Sequence, residues 1–552
     1  MSSPVGSLRP SRYGDDIIDR YRQNGFWTED TAVSLLQAKA AAEPDAIAVS
    51  DSTTRLTWSE LLDEAERVAS GLVRLGLERG DPVVIQLPNW VESVVLRYAL
   101  KTAGLVAIYA PLTWRIQEIR QVLEKTGARL LVAPPTFRQL DFQAMTAELG
   151  REFPDLMSVF VRGEAPKLEG ACSWESLTQD RALPHPCPTK AEEVSLICVS
   201  SGSTGVPKLC ESPEAAQLVN GRGIGERFGV TAKDVVGIFA PTDGGAGLMG
   251  FLIAIAAGCP IALADDFQPE AMLDRIEAER VSILATVPAL LIRLLQVSDV
   301  SHRDLSALRL IRTGTAALTP ATAREAEKRF GAMLVPAAGT MEVLTFAQTG
   351  PEDPEEVRLG GGVGCPLSGN EARVVSDDGK PLDSGELGVL EVRGAGTGSG
   401  YYTDREATLE AWGDGQGEGQ GEGWFRTGDL AVIAEDGRIR LCGRTKDVIS
   451  RGGRNVFPAE LEALLMEHEK VQDVAVVGVE NAALGECARA YIVPRGQHGQ
   501  HAEGDLTESE LREFLEKKQI ATYKIPDEFR FLTELPRLPG AKVNRRALKA
   551  EA

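Results

Sequence analysis

Val194-Ser195-Leu196-Ile197-Cys198-Val199 runs straight into Ser200-Ser201-Gly202-Ser203-Thr204-Gly205-Val206-Pro207-Lys208, and this junction decides the fold. The first six residues form a short apolar run, the pattern of a strand buried within a parallel sheet. Hydroxyl side chains, two glycines and a lysine then leave the strand end together. Gly202 and Gly205 let backbone N–H groups turn inward where a Cβ would clash, and such concavities hold anions. Ser201, Ser203 and Thr204 add neutral donors, and Lys208 adds a mobile positive charge suited to a polyphosphate. No Gly-Lys-Ser/Thr follows at P-loop spacing, so that motif is excluded. Taken alone, the segment reads either as a plain connection or as a phosphate grip.

Working outward, short apolar runs alternate with stretches of helical period. Pro82–Leu87, Leu130–Ala133, Val235–Phe239, Ile261–Ala264, Ile283–Val287 and Leu308–Arg312 read as strands, and Val91–Leu105 as a helix. This alternation predicts a large α/β domain with a mostly parallel, doubly wound sheet. Ligands in such sheets bind beyond the carboxyl ends of the strands, where the Ser200–Lys208 segment sits. After Arg373–Val375 the texture changes to short β segments with turns at Asp377-Asp378-Gly379, Ser384-Gly385-Glu386 and Glu435-Asp436-Gly437, which predicts a smaller β subdomain. The Gly/Gln/Glu tract Gly413–Gly423 reads as a surface loop. Beyond Gly443-Arg444-Thr445-Lys446 the pattern predicts an α+β unit. Pro458 opens a helix, Val474–Val479 and Ala490–Val493 are strands, and Thr507-x-x-Glu510 caps a further helix. The N-terminal Arg20-Tyr21-Arg22-Gln23-Asn24-Gly25-Phe26-Trp27 is amphipathic and predicted to drape on the main domain.

The chain has 552 residues, enough for two or more domains, with 43% hydrophobic and 25% charged residues, as in soluble enzymes. A net charge of −21 argues against nucleic acid or an anionic membrane as the main partner. No signal peptide or membrane-spanning run is read, and eight scattered cysteines without a Cys-x-x-Cys pair fit reduced thiols in the cytoplasm. Of the five histidines, only His498 and His501 are close together, and they lie in a Gly/Gln loop. Ser-His-Asp hydrolysis and histidine-rich metal sites are poor readings of this chain.

Four further stretches carry chemistry. Gly339-Thr340-Met341-Glu342 offers a carboxylate, the hard oxygen ligand that a nucleotide-bound Mg²⁺ prefers. Thr427-Gly428-Asp429 is a turn whose acid can accept from ribose hydroxyls. Gly443-Arg444-Thr445-Lys446-Asp447 precedes Ser450-Arg451-Gly452-Gly453-Arg454-Asn455, and Pro539-Gly540-Ala541-Lys542-Val543-Asn544-Arg545-Arg546 lies near the chain end. Each is weak alone: Thr-Gly-Asp is commonly just a turn, and Lys542 alone reads as a surface lysine.

In this order, across essentially the whole chain, they resemble the ANL superfamily of adenylate-forming enzymes. Arg20–Trp27, Val199–Lys208 and Gly400-Tyr401-Tyr402 bring the resemblance closest to aryl acid–AMP ligases of the 2,3-dihydroxybenzoate type and to aryl-CoA ligases. The resemblance implies an N-terminal nucleotide- and substrate-binding domain over residues 1–443 and a small mobile domain over 444–552. It implies that Ser201, Gly202, Ser203, Thr204, Gly205 and Lys208 hold the ATP phosphates, and that Gly314, Thr315, Ala316, Gly339 and Thr340 line the nucleotide site. Glu342 and Thr204 would serve Mg²⁺, Asp429 with Arg444 the ribose, and Lys446 the hinge. Lys542 would stabilise the charge that builds up at the α-phosphate. Thr242, Asp243, Gly244, Gly245 and Gly339 would line the acceptor pocket. The implied activity is AMP-forming activation of a small aromatic acid, with coenzyme A or a carrier protein as the thiol acceptor.

The departures fall mostly on the acceptor side. Ala338 stands where the family usually stacks an aromatic on adenine, and Ala541 where glycine is usual. Leu209-Cys210-Glu211-Ser212-Pro213 replaces basic residues. Pro241–Gly250 lacks the usual histidine and aromatic and the Asn that recognises a ring hydroxyl; its glycines Gly244, Gly245, Gly247 and Gly250 predict a wider pocket. Asp243 reads as an amine contact, a helix cap or a solvated acid. Two alternatives therefore stand beside acid activation. One is an ATP-dependent diazotase that activates nitrite and passes it to an aryl amine; the other is a nucleotide-binding pseudoenzyme.

Overall fold

The computed structural model describes residues 8–179, 187–200, 207–314, 318, 320–413, 423–481, 484–495, 506–537 and 543–550. Ser201–Gly205, Thr315, Ala316 and Lys542, together with most of the Gly413–Gly423 tract and His498/His501, lie outside them.

Apolar patterning explains why the predicted single sheet is in fact two. The helix Val91–Thr102 is buried at eleven of its twelve positions, and Gly245–Ala257 is apolar around its whole circumference. A helix buried on every side needs a covering layer on each side. A nine-stranded and a seven-stranded sheet supply those layers. In the first, Met333–Thr340, Leu310–Thr313, Ile283–Ala285, Val236–Ile238, Ile261–Leu263 and Ile47–Ser50 are mutually parallel in that spatial order. In the second, Val194–Ser200, Val106–Tyr109, Pro82–Ile85, Leu130–Ala133, Met157–Phe160 and Ala171–Ser173 are parallel. The sequence shows the α/β alternation but not the change of sheet, because a strand buried on both faces reads the same in either.

Val194–Ser200 also pairs antiparallel with Lys208–Pro213, Ser200 facing Lys208. The strand entering the decisive junction and the strand leaving it are therefore antiparallel neighbours. The β subdomain is a four-stranded antiparallel sheet of Asn370–Val375, Leu387–Gly394, Phe425–Ile433 and Ile439–Arg444. A separate sheet starts at Ile449–Arg451 and is built on Val471–Asn481 and Gly485–Pro494. Pro458–Met466 and Glu508–Lys517 are helices as predicted, the latter capped by Thr507 Oγ1 accepting from Glu510 N at 3.2 Å. The N-terminal segment does drape: Tyr13, Ile18 and Trp27 are buried against Ala215, Ala216 and Ala395, and Trp27 Nε1 donates to Ala395 O at 2.8 Å. All eight cysteines are free thiols. Among the described residues no helix is long and apolar enough to cross a membrane.

The two central helices Glu214–Phe228 and Gly245–Ala257 touch backbone to backbone at Gly221. A Cβ there would stand 2.2 Å from Leu252 O and 3.0 Å from Ala256 Cβ. Gly221→Ala must push these helices apart, so it should destabilise by about 1–3 kcal/mol, a cost typical of overpacking. A thermal melt checks this, and an unchanged Tm contradicts the packing.

Candidate active site

Four threonines lie at or beyond the carboxyl ends of parallel strands in the nine-stranded sheet. Thr286 follows Ile283–Ala285, Thr313 ends Leu310–Thr313, Thr340 ends Met333–Thr340, and Thr242 lies in the turn after Val236–Ile238. All four hydroxyls are buried, and among the described residues none has a hydrogen-bond partner. Buried polar groups are ordinarily paired, so a row of orphans beyond strand carboxyl ends marks a place prepared for a polar ligand.

Three of the sequence motifs converge there. Met333–Thr340 and Leu344–Gln348 form an antiparallel hairpin whose turn carries Glu342. Only glycine fits at 339, because a Cβ would meet Leu344 O at 2.2 Å. Leu344 itself has φ of 51°, so the turn holds backbone strain where its acid is presented. Ser399–Tyr402 runs beside Lys208–Pro213: Ser399 N donates to Glu211 O at 3.0 Å, and Tyr402 N to Leu209 O at 2.7 Å. This lays the Tyr401 ring under Lys208, with Nζ 4.7 Å from the ring centroid and 3.5 Å from Oη. Tyr401 Oη in turn donates to Glu342 Oε1 at 3.0 Å. Burial and the Glu342 charge push the Tyr401 hydroxyl well above its ordinary pKa, so it remains a donor. The arrangement offers a cation and a carboxylate on one tyrosine, at the strand start Lys208 that pairs with Ser200. The hard oxygens of Glu342 suit a Mg²⁺ that accompanies a nucleotide.

The other predicted residues are placed as follows. Gly314 lies just past Leu310–Thr313, two residues before the outlying Ala316. Asp429 and Arg444 are cross-strand neighbours in the four-stranded sheet, and Arg444 Nε donates to Asp429 Oδ1 at 2.9 Å. Gly428, just before Asp429, has φ of 73°, and Thr445 Oγ1 donates to its carbonyl at 3.1 Å. Lys446 is exposed on the 3₁₀ turn Thr445–Asp447, between two sheets. Ala338 is buried opposite Ala347. Glu211, one of the departures, turns out to anchor the N-terminal segment: its carboxylate accepts from Ser11 N and Ser399 Oγ, each at 2.9 Å.

The expectation of a widened pocket needs correction. A Cβ at Gly244 would lie 2.3 Å from Met341 Cε, at Gly247 2.2 Å from Pro241 O, and at Gly250 2.8 Å from Ala285 Cβ. The space each glycine leaves is filled by a neighbour, so these glycines serve close packing and do not enlarge a cavity. The methionine filling was hidden because Met341 lies about a hundred positions away in sequence. Asp243 is half-buried, and no side-chain hydrogen bond caps the Gly245–Ala257 helix that follows it. Residues missed by the sequence reading are Arg97 and Tyr109, which meet at this wall; an arginine inside the otherwise apolar run Val94–Leu100 was the available signal.

Comparison with known proteins agrees with this geometry. Residues 36–402 match the family model of the AMP-binding enzymes, and residues 460–542 that of the AMP-binding enzyme C-terminal domain. The chain belongs to the AMP-binding enzyme family. It is 33% identical to triostin synthetase I of Streptomyces triostinicus, over 98% of this chain and 97% of that protein. It is 31% identical to the 2,3-dihydroxybenzoate-AMP ligase of Bacillus subtilis (strain 168), over 97% and 96% respectively. Among solved structures, ATP-bound MatB from Rhodopseudomonas palustris superposes with a TM-score of 0.82 at 26% identity, covering 95% of this chain and 99% of that one.

Burial pushes the Asp243 carboxyl up to about 6, against a weaker opposing pull from Arg97. The folded state therefore holds a proton that the unfolded chain releases near pH 4, and stability contributed by this group is lost as pH rises through about 6. Asp243→Asn should accordingly raise Tm at pH 8 and leave it nearly unchanged below pH 4. An equal shift at both pH values contradicts the assignment.

Proposed function

We propose that this enzyme uses ATP to activate a small aromatic carboxylic acid as an acyl adenylate and passes it to a thiol of coenzyme A or a carrier protein. The observation that carries this reading is the Lys208–Tyr401–Glu342 contact, which gathers three distant motifs at one set of strand ends. An oxygen of the acid attacks the α-phosphorus while the α–β phosphoanhydride bond breaks. Pyrophosphate leaves with the bonding electron pair, and the thiol later displaces AMP. Lys208, with Ser201, Ser203 and Thr204, would steady the phosphates, and Asp429 with Arg444 the ribose. Bound through Glu342 and Thr204, Mg²⁺ would offset charge on the departing pyrophosphate. Lys542 would meet the charge developing between carboxylate and α-phosphate. We assign residues 1–443 to the nucleotide and acid site and 444–552 to a unit that turns about Lys446 between half-reactions, in a cytoplasmic enzyme. The kinship with a dihydroxybenzoate ligase supports an aromatic acid.

A second reading is favoured by one observation, the raised carboxyl of Asp243 at the acceptor wall. Ionised near neutral pH, it suits an amine, and nitrite would then be the group activated by ATP. A non-catalytic nucleotide binder, by contrast, would consume no ATP.

Lys542→Ala should lower adenylate formation roughly a hundredfold or more while leaving Tm within a degree or two, the loss expected on removing one electrostatic contact to a transition state. Product analysis should show AMP and pyrophosphate; ADP and phosphate would defeat the proposal. Comparison of benzoates with amino-aryl acids plus nitrite separates the two readings: AMP release that requires nitrite and is lost in Asp243→Ala selects the second.

A further inference from the structure

Arg97 sits where the apolar pattern leaves no room for a charge. It belongs to the buried helix Val91–Thr102 and is only 4% exposed. Its guanidinium lies 3.6 Å from the centroid of the Tyr109 ring and 4.8 Å from that of Phe251, and Nη2 donates to the carbonyl of Thr242. Among the described residues it forms no ion pair with a carboxylate; burial pushes its pKa down against weaker opposing pulls from Tyr109, Cys198 and Asp243. The other buried basic residue of this helix behaves in the ordinary way: Lys101 is paired with Glu214 and bonded to Ser195 and Gln217. A buried charge is ordinarily matched, and a guanidinium has five donors to satisfy.

The unmatched guanidinium faces unmatched oxygens. Tyr109 Oη and Thr242 Oγ1 are both buried and have no partner among the described residues. Tyr109 ends the strand Val106–Tyr109 and pairs with Cys198, whose strand runs into the Ser200–Lys208 hairpin. Thr242 belongs to the proposed acceptor wall, and Gly244 two residues on is packed by Met341, the neighbour of Glu342. A planar cation and two idle hydroxyls therefore converge at the wall beside the site described above. Such a fork matches a carboxylate held by two parallel N–H bonds.

We propose that Arg97, with the Tyr109 and Thr242 hydroxyls, binds a carboxylate substituent of the aromatic substrate other than the group that ATP activates. This rests on the reading of an aromatic substrate and narrows it to one with a second anionic group. Under acid activation the substrate is a dicarboxylate; under nitrite activation the aryl amine carries its carboxylate here and turns its nitrogen toward the nucleotide.

The test is calorimetric titration of the full chain with benzene-1,3-dicarboxylate and with 3-methylbenzoate, probes of similar size that differ in the second charge. The wild type should bind the diacid about tenfold or more tightly, the scale of a charged hydrogen-bond pair. Arg97→Met should abolish that preference and Arg97→Lys keep part of it. Tyr109→Phe preserves the stacked ring and removes only the hydroxyl, so it should weaken the diacid several-fold and leave 3-methylbenzoate unchanged. Equal wild-type affinities, no binding of either probe, or Arg97→Met weakening both alike would overturn the proposal. Should Arg97→Met fail to fold, an unchanged ratio in Tyr109→Phe overturns it as well. AMP release is scored separately: a diacid preference without AMP release counts against adenylation and not against the Arg97 site.

Discussion

The side-chain amide of Asn89 ties the two parallel sheets together at the carboxyl ends of their strands. Asn89 follows the strand Pro82–Ile85 of the seven-stranded sheet, is buried, and donates from Nδ2 to Ile238 O at 3.1 Å and Ala240 O at 2.9 Å. Those carbonyls close the strand Val236–Ile238 of the nine-stranded sheet, just before the Thr242–Gly250 segment. Asp51 makes the reciprocal tie from the other sheet. It follows Ile47–Ser50, accepts from Val91 N at 2.8 Å at the start of the buried helix, and pairs with Arg162 beyond Met157–Phe160. Burial alone would push this carboxyl up, but three backbone N–H bonds and Arg162 hold it below the usual carboxylate range. With both sheets clamped on one helix layer, the loops leaving their carboxyl ends must meet.

What meets there is under-satisfied by design of the backbone. Four threonine hydroxyls, a tyrosine hydroxyl and an arginine are buried without full partners, and Leu344 is held at positive φ. Each such feature costs free energy in the empty protein. The Lys101–Glu214–Ser195–Gln217 set, which is equally buried, is by contrast mutually bonded. Ligand binding is the step that would satisfy the first group.

Local signals in the sequence were reliable where the physics is local. The strand Leu130–Ala133, the Pro458 helix start and the Thr507 cap depend on neighbours within a few residues, and the structure keeps them. The ordered motifs were legible because each carries its own chemistry. Two things were not legible. The division into two sheets depends on which strand pairs with which, and a buried strand does not encode its partner. The filling of the Gly244 space by Met341 depends on a contact between distant loops, so glycines that resembled vacant volume proved to be packing surfaces. Glu211 depends on distant contacts in the same way: read only as part of a stretch that replaces basic residues, it holds Ser11 and Ser399.

The central claim is that these strand ends carry reversible transfer of AMP to an aromatic acid, independent of any thiol. Exchange of labelled pyrophosphate into ATP measures that half-reaction directly. The account predicts label in ATP when an aromatic acid is present, with no thiol required and none formed when the acid is withheld. Exchange that proceeds without any acid, or that no aromatic acid supports, would contradict it.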